Sequence, residues 1–177
     1  MNSKKQNKAL FLDRDGVINI DKQYVCKIED FEFMDGIFSL LRYFQELGYL
    51  LVIVTNQSGI GRGYYTQKDF DILTAWMLER FKQEGIDIKK VFHCSHAPEV
   101  SCQCRKPNPK MILDAQKEFD IDLASSCMIG DKKSDIDAGK NAKVGKTIFV
   151  SRGDCDDLKG ADFCVSNIKD IAKIIKR

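Results

Sequence analysis

The stretch YLLVIVTN, residues 49–56, constrains the fold most, because its apolar residues are continuous and do not alternate with polar ones. Such a strand is apolar on both faces, which is typical of a parallel sheet covered by helices on both sides. The stretch KALFLD, residues 8–13, has the same character. We therefore expect both stretches to be buried strands of one parallel sheet.

Segments with helical periodicity alternate with these strands. Gly48 is placed to end a first helix, and Thr66 to cap a second one. Asn108 and Pro109 are expected to be the cap and first-turn residue of a third helix. A last helix is expected near the end of the chain. Its apolar face comprises Ile168, Ile171, Ala172 and Ile175.

This alternation predicts an α/β fold with a doubly wound parallel sheet, which binds ligands at the carboxyl ends of its strands. Further strands are expected at VFHCS, SSCMIGD, TIFVS and DFCVS. The chain has 177 residues and no obvious linker, so we expect a single domain over residues 1–177. Only one loop and one helix separate the first two strands, so no separate cap domain is expected.

Charge and hydropathy exclude several classes of partner. The net charge is +2 and the basic residues form no stripe, so we expect no nucleic-acid partner. The longest apolar run, residues 49–54, is too short to cross a membrane. The polar start MNSKKQNK is unlike an export signal, so the expected location is the cytoplasm. The expected oligomeric state is a monomer.

Four polar residues follow predicted strands directly: Asp13, Asp15, Thr55 and Asp131. Because strands of a parallel sheet end at one edge, these side chains should converge there. A group of carboxylates is unfavourable without a cation, and carboxylate oxygens suit Mg²⁺, which in turn implies phosphate. A polar turn around Gly16 remains an alternative for the first two acids. A calcium loop fits less well, because its glycine should come at the sixth position.

The segment HCSHAPEVSCQCRKP contains a second group of ligands. Cys94 and His96 point the same way on an extended chain, as do Cys102 and Cys104, so the two pairs can surround one Zn²⁺. Buried cysteines without a metal are the alternative. A reducing compartment and an odd total of seven cysteines argue against disulfides. The other cysteines are therefore expected to be small apolar residues: Cys26, Cys127, Cys155 and Cys164.

Four segments together resemble the motifs of the haloacid dehalogenase-like (HAD-like) phosphatases, in the same order. They are FLDRDGVIN, TNQSGIGRG, RKP and MIGDKKSD, and the resemblance covers nearly the whole chain. Within that superfamily the chain is most similar to the D-glycero-D-manno-heptose 1,7-bisphosphate 7-phosphatases, which are related to the histidinol-phosphate phosphatases. The motif TNQSGIGRGYY and the zinc-type loop carry this narrower resemblance.

The resemblance implies a Rossmann-type HAD-like fold and assigns roles to individual residues. Asp13 would be the nucleophile that forms an aspartyl-phosphate, and Asp15 would be the general acid and base. Mg²⁺ would be held by Asp13, the backbone carbonyl of Asp15, and Asp131. Thr55 and Lys106 would hold the transferred phosphoryl group.

The resemblance also places substrate contacts in the loops after the strands. They are Asp21, Tyr24, Asn56, Gln57, Ser58, Arg105 and Lys132. The zinc loop would aim Arg105 and Lys106 at the substrate. Asp135 matches a second acid that is common in the fourth motif, or else it only orients Lys106 or caps a helix. His93 is expected to have a packing role, and Arg62 is not assigned as a ligand.

These expectations lead to three hypotheses on function. The first is a cytoplasmic phosphatase that acts on a heptose bisphosphate, in ADP- or GDP-heptose formation for lipopolysaccharide or surface polysaccharide. The second is a histidinol-phosphate phosphatase. The third is a zinc-dependent nucleic-acid-binding module or a polynucleotide 3'-phosphatase, which the near-neutral charge disfavours.

Overall fold

One sheet of parallel strands forms the centre of the computed structural model, which describes residues 6–156 and 159–176. The strands across these residues are β1 (Lys8–Leu12), β2 (Tyr49–Asn56), β3 (Ile88–Cys94), β4 (Cys127–Gly130), β5 (Lys146–Val150) and β6 (Phe163–Val165). Their order in the sheet is β3, β2, β1, β4, β5, β6, and all neighbours are parallel. The order reverses between β1 and β4, and that is where doubly wound sheets form their ligand crevice.

Helices cover both faces of this sheet. They are α1 (Ile37–Glu46), α2 (Ser58–Gly61), α3 (Gln67–Gln83), α4 (Lys110–Phe119), α5 (Lys133–Asn141) and α6 (Ile171–Ile174). Helix α3 begins as predicted, because the Thr66 hydroxyl accepts a hydrogen bond from the Asp69 N–H and the Asp69 carboxylate accepts one from the Thr66 N–H. Of the helices described, none is long and apolar enough to cross a membrane.

Side chains of β1 alternate between two hydrophobic clusters. Leu10 and Leu12 pack with α1, α3 and α6 on one face, whereas Ala9 and Phe11 pack with α4 and α5 on the other. All four side chains are fully buried. This two-sided burial is the reason that the sequence of each central strand is apolar throughout, and it confirms the predicted doubly wound sheet.

Two predicted helix boundaries are wrong. Helix α4 begins one residue later than expected, with Pro109 as its N-cap, because the Asn108 side chain donates to the Cys102 carbonyl at 2.9 Å and so holds the cysteine loop. The last predicted helix is divided into a 3₁₀ turn, Ile168–Asp170, and the short α6.

The prediction that Cys155 and Cys164 are unpaired is also wrong, because they form a disulfide. Cys155 lies in the loop after β5, and Cys164 lies in β6, which pairs with β5. The returning chain therefore brings the two Cα atoms to 5.7 Å. Cys26 and Cys127 are free, as expected, and Cys127 is buried in the sheet.

Candidate active site

Three carboxylates meet where β1 and β4 end. Asp13 follows β1, Asp131 follows β4, and Asp135 lies in the first turn of α5. Each contributes one oxygen to a group in which all the atoms lie within 4.8 Å of one another. The sequence places the first two acids here correctly, because β1 and β4 are neighbours. The carboxylate of Asp15 is not part of this group, and Asp135 takes its place.

Lys106 lies among these acids and is almost fully buried. Its Nζ atom is 2.9 Å from Asp13 Oδ1 and 2.6 Å from Asp135 Oδ1, and it donates to the Val54 carbonyl at 2.7 Å. Burial opposes the charge, but the two carboxylates outweigh it and raise the pKa of Lys106. Asp135 also accepts from the Lys132 N–H at 3.0 Å, so it both orients Lys106 and caps α5.

Asp13 and Asp131 have the properties expected of ligands for a hard cation such as Mg²⁺. Burial raises the pKa of Asp13 to about 7, although Lys106 opposes this, and burial raises the pKa of Asp131 to about 6. Asp131 Oδ1 is buried without a hydrogen-bond partner. A Cβ atom on Gly16, whose φ is +93°, would lie 2.0 Å from Asp131 Oδ2, so glycine leaves the space that this carboxylate needs. Oxygen donors, one of them unpartnered, fit Mg²⁺.

Asp15 points away from the acid cluster into a ring of donors. Arg14 donates through Nε to Asp15 Oδ2 at 3.2 Å and through Nη2 to Oδ1 at 3.0 Å. Asn19 and Gln57 each donate to the same carboxylate at 3.0 Å. Arg14 is 1% exposed and also donates to the Val25 carbonyl at 2.7 Å. Sequence reasoning missed Arg14, although a charged residue directly after a buried strand needs a buried partner.

The last two residues of β2 are further predicted site residues. Thr55 is fully buried, and its hydroxyl accepts from Gln57 Nε2 at 2.9 Å. The Asn56 side chain makes two hydrogen bonds to the backbone of Lys106. Its Nδ2 atom donates to the Lys106 carbonyl at 3.2 Å, and its Oδ1 atom accepts from the Lys106 N–H at 3.0 Å. The end of β2 therefore holds the segment that carries the buried lysine.

A cleft of about 400 Å³ opens beside these groups. All seven predicted substrate contacts line it: Asp21, Tyr24, Asn56, Gln57, Ser58, Arg105 and Lys132. Lys132 Nζ is 3.2 Å from Asp21 Oδ2, and Arg105 Nη1 is buried without a partner. The exposed rings of Tyr24 and Tyr64 meet at 4.7 Å. Asp13 does not line the cleft because it is 4% exposed.

The four predicted zinc ligands also converge. Cys94 Sγ is 3.6 Å from Cys102 Sγ and 3.5 Å from His96 Nδ1, and Cys104 Sγ is 3.7 Å from Cys102 Sγ. Ligands with a Zn–S bond of about 2.3 Å at a tetrahedral centre lie roughly 3.8 Å apart. Cys104 Sγ lies closer to Cys94 Sγ, at 2.9 Å. The donor set and most of its spacings fit a structural zinc ion.

Two residues that were not assigned as ligands have other contacts. His93 stacks on Phe70 with ring centroids 4.3 Å apart, which confirms the expected packing role. Arg62 forms an ion pair with Glu99 at 3.2 Å, and it does not line the cleft. Arg152, which the sequence analysis did not consider, is 3.3 Å from Asp131 Oδ2.

Curated relatives cover most of the chain. A D-glycero-alpha-D-manno-heptose-1,7-bisphosphate 7-phosphatase from Campylobacter jejuni is 52% identical over 97% of each chain. A D-glycero-beta-D-manno-heptose-1,7-bisphosphate 7-phosphatase from Helicobacter pylori is 57% identical over 81% of this chain and 84% of the relative. A family model described as HAD-hydrolase-like matches residues 103–171.

Two solved structures with a similar fold are named for the same kind of activity as these relatives. A D,D-heptose 1,7-bisphosphate phosphatase from B. bronchiseptica, crystallised with magnesium and phosphate, has a TM-score of 0.84 and 26% identity, with 94% of this chain and 97% of that chain covered. A protein of the same name from Burkholderia thailandensis has a TM-score of 0.64 at 24% identity, with 95% and 97% covered, and shows the shared fold. The chain therefore belongs to the heptose-1,7-bisphosphate 7-phosphatase family of HAD-like hydrolases.

Proposed function

We propose that this protein is a magnesium-dependent phosphatase that removes the 7-phosphate of D-glycero-D-manno-heptose 1,7-bisphosphate. The observation that carries the proposal is the buried Asp13 carboxylate, paired with Lys106 at the point where the strand order reverses. Relatives named for this reaction cover 97% of the chain. The reaction would supply ADP- or GDP-heptose formation for lipopolysaccharide or surface polysaccharide.

The reaction begins when a carboxylate oxygen of Asp13 attacks phosphorus and the bond from phosphorus to the sugar oxygen breaks. Lys106 and Thr55 hold the phosphoryl oxygens, and Asp15 gives a proton to the departing sugar oxygen. In the second step Asp15 takes a proton from a water molecule, whose oxygen attacks the aspartyl-phosphate. Phosphate leaves, and Asp13 is restored.

Asp13, Asp131 and the backbone carbonyl of Asp15 would hold Mg²⁺. The ion would offset the repulsion between the anionic nucleophile and the anionic phosphate. The unpartnered oxygen of Asp131 supports this assignment. Asp135 instead forms an ion pair with Lys106 and holds its ammonium group in place.

Zn²⁺ would be held by Cys94, His96, Cys102 and Cys104 and would have a structural role. Arg105 and Lys106 follow the last ligand directly. The ion would therefore fix the segment from which both cations reach the crevice.

Substrate recognition belongs to the cleft. Arg105 and Lys132 offer positive charge to the second phosphate of a bisphosphate, while Asp21, Tyr24 and Ser58 line the space for the sugar. The relatives are named for both the alpha and the beta anomer. Both anomers are therefore the substrates to compare.

We also propose a cytoplasmic, monomeric protein with no nucleic-acid partner, for which a net charge of +2 gives no electrostatic basis. The Cys155–Cys164 disulfide is unusual for a reducing compartment. The fold places the two sulfur atoms at bonding distance, but the cytoplasm would keep such a pair reduced. Alkylation of thiols at the moment of cell lysis, followed by mass spectrometry, therefore tests the location, because the cytoplasmic proposal expects two free thiols in the cell. An oxidised pair would argue for another compartment.

The test of function is phosphate release from both heptose bisphosphate anomers and from histidinol phosphate, with and without Mg²⁺. We expect turnover of a heptose bisphosphate only with Mg²⁺, and its loss in Asp13→Asn. Asp114→Asn, a matched change in an exposed ion pair with Lys110, should retain full turnover. Preference for histidinol phosphate, or substantial turnover by Asp13→Asn, would reject the proposal.

A further inference from the structure

The side-chain amide of Gln57 makes three hydrogen bonds to protein groups. Its Nε2 atom donates to Asp15 Oδ2 at 3.0 Å and to Thr55 Oγ1 at 2.9 Å, and its Oε1 atom accepts from the Tyr65 hydroxyl. Gln57 is 2% exposed. Both N–H groups and one of the two carbonyl lone pairs are therefore engaged within the protein. Because the side chain is also almost fully buried, it is poorly placed to bind a sugar hydroxyl.

The orientation of this amide follows from the chemistry of its neighbours. Both oxygens of Asp15 accept hydrogen bonds from Arg14 and Asn19, so the side that Gln57 turns toward this carboxyl group is its donor nitrogen. The Tyr65 hydroxyl then occupies the carbonyl end. Burial raises the pKa of Tyr65 to about 12, so this hydroxyl keeps its proton. A Cβ atom on Gly59 would lie 2.1 Å from the Tyr65 ring, so the glycine gives Tyr65 room to reach Gln57.

Gln57 also joins two parts of the structure that the reaction must keep aligned. Asp15 lies in the loop after β1, and Thr55 is the last residue but one of β2. Arg14 and Asn19 also hold Asp15, but both lie on the same loop as the acid itself. Of the side-chain donors to Asp15 in the described residues, Gln57 is the one outside that loop, directly after the neighbouring strand β2.

We propose that Gln57 is a positioning residue that fixes the Asp15 carboxylate relative to the Thr55 hydroxyl, and that its side chain does not bind the sugar. This inference rests on the proposed function and deepens it, because it replaces the sugar-contact role expected from the sequence. Tyr65 holds the Gln57 amide in this orientation, because its hydroxyl donates to Gln57 Oε1. Gln57, Gly59 and Tyr65, which all lie in the segment QSGIGRGYY, then act together to orient Asp15.

The first test uses Gln57→Met, which keeps the length of the side chain and removes its hydrogen bonds, and Tyr65→Phe, which keeps the ring and removes one hydroxyl. Steady-state kinetics with the heptose bisphosphate should show kcat reduced about 10- to 100-fold in Gln57→Met, a part of what general acid–base catalysis supplies. Tyr65→Phe should show a smaller loss. In both variants KM should stay within about twofold of the parent value, because no substrate contact is removed.

The control is Gln83→Met, the same substitution at a glutamine that ends α3 on the exposed surface, and it should leave both constants unchanged. A raised KM with kcat retained in Gln57→Met would overturn the inference and restore the sugar-contact role. Should Gln57→Met fail to fold, Tyr65→Phe decides alone. Unchanged kcat in Tyr65→Phe would then refute the inference.

A second readout separates this inference from the proposed function. With 4-nitrophenyl phosphate the leaving group departs without help from an acid, whereas hydrolysis of the aspartyl-phosphate still needs Asp15 as a base. Gln57→Met should therefore release about one equivalent of nitrophenolate per enzyme in a burst and then turn over slowly. Slow release without a burst would contradict the inference. A parent protein that ignores heptose bisphosphates but hydrolyses the aryl ester would reject only the sugar assignment.

Discussion

Replacement of Lys106 by methionine should destabilise the protein in a pH-dependent way. Methionine keeps the length of the side chain but leaves Asp13 and Asp135 without their cation, and these side chains are 6% and 1% exposed. Removal of one partner of a buried ion pair costs about 3–5 kcal/mol. For a chain of this size that loss corresponds to a fall in Tm of roughly 6–20 °C.

The sign of the pH effect follows from the raised pKa of Asp13. The folded protein holds a proton at this group up to about pH 7, whereas the unfolded chain releases it near the ordinary pKa of an aspartate side chain, 3.8. Folding therefore becomes less favourable as the pH rises through that interval. Without the lysine the folded-state pKa rises further, so the loss in Lys106→Met should be larger at about pH 8 than at about pH 5.5.

Urea unfolding in magnesium-free buffer at the two pH values measures this loss. The double variant Lys106→Met/Asp135→Asn should recover part of the stability, because it removes one of the two buried charges. Two results would refute the reasoning. One is a Lys106→Met protein whose unfolding free energy at the higher pH lies within about 1 kcal/mol of the parent value, and the other is a double variant that is no more stable than the single one.

Three further predictions concern the metal sites and a glycine. Cys102→Ser should lower both the zinc content and Tm, while Cys26→Ser should change neither, and full zinc content in the first variant would contradict the site. Mg²⁺ should raise Tm more at about pH 8 than at about pH 5.5, because burial raises the pKa of the two metal-site carboxyls to about 7 and about 6 and protons compete with the ion. Gly16→Ala should weaken magnesium binding, measured by calorimetry, because its Cβ atom would displace Asp131. The control is Gly85→Ala, because Gly85 also has a positive φ but an added Cβ atom would meet nothing within 4 Å. This change should cost about 1–2 kcal/mol of stability and leave magnesium binding intact.

The sequence predicts the framework well because the framework depends on local pattern. The continuous apolar run at residues 49–56 coincides with β2, and Thr66 caps α3 as expected. The same pattern places Asp13 and Asp131 at adjacent strand ends. The zinc-type residues converge because two i, i+2 pairs leave few other arrangements.

The sequence could not show where polar side chains are directed. Asn56 ends β2 and Gln57 follows it, a position that suggests contact with a ligand, yet both side-chain amides bind other parts of the protein. Their partners are distant in sequence, so no periodicity reveals them. The same reason hid the Cys155–Cys164 disulfide, which depends on the adjacency of β5 and β6.

The contacts that hold the Lys106 segment in place have a consequence for how a new chain becomes active. The segment that carries this residue has no regular secondary structure, and its shape is imposed by the cysteine cluster on one side and by Asn56 on the other. A newly synthesised chain could complete its sheet from apolar burial alone. On the proposed zinc assignment, it would become a working enzyme only after zinc binds the cysteine cluster, so in a zinc-starved cell the metal supply would set the active fraction independently of how much chain is made.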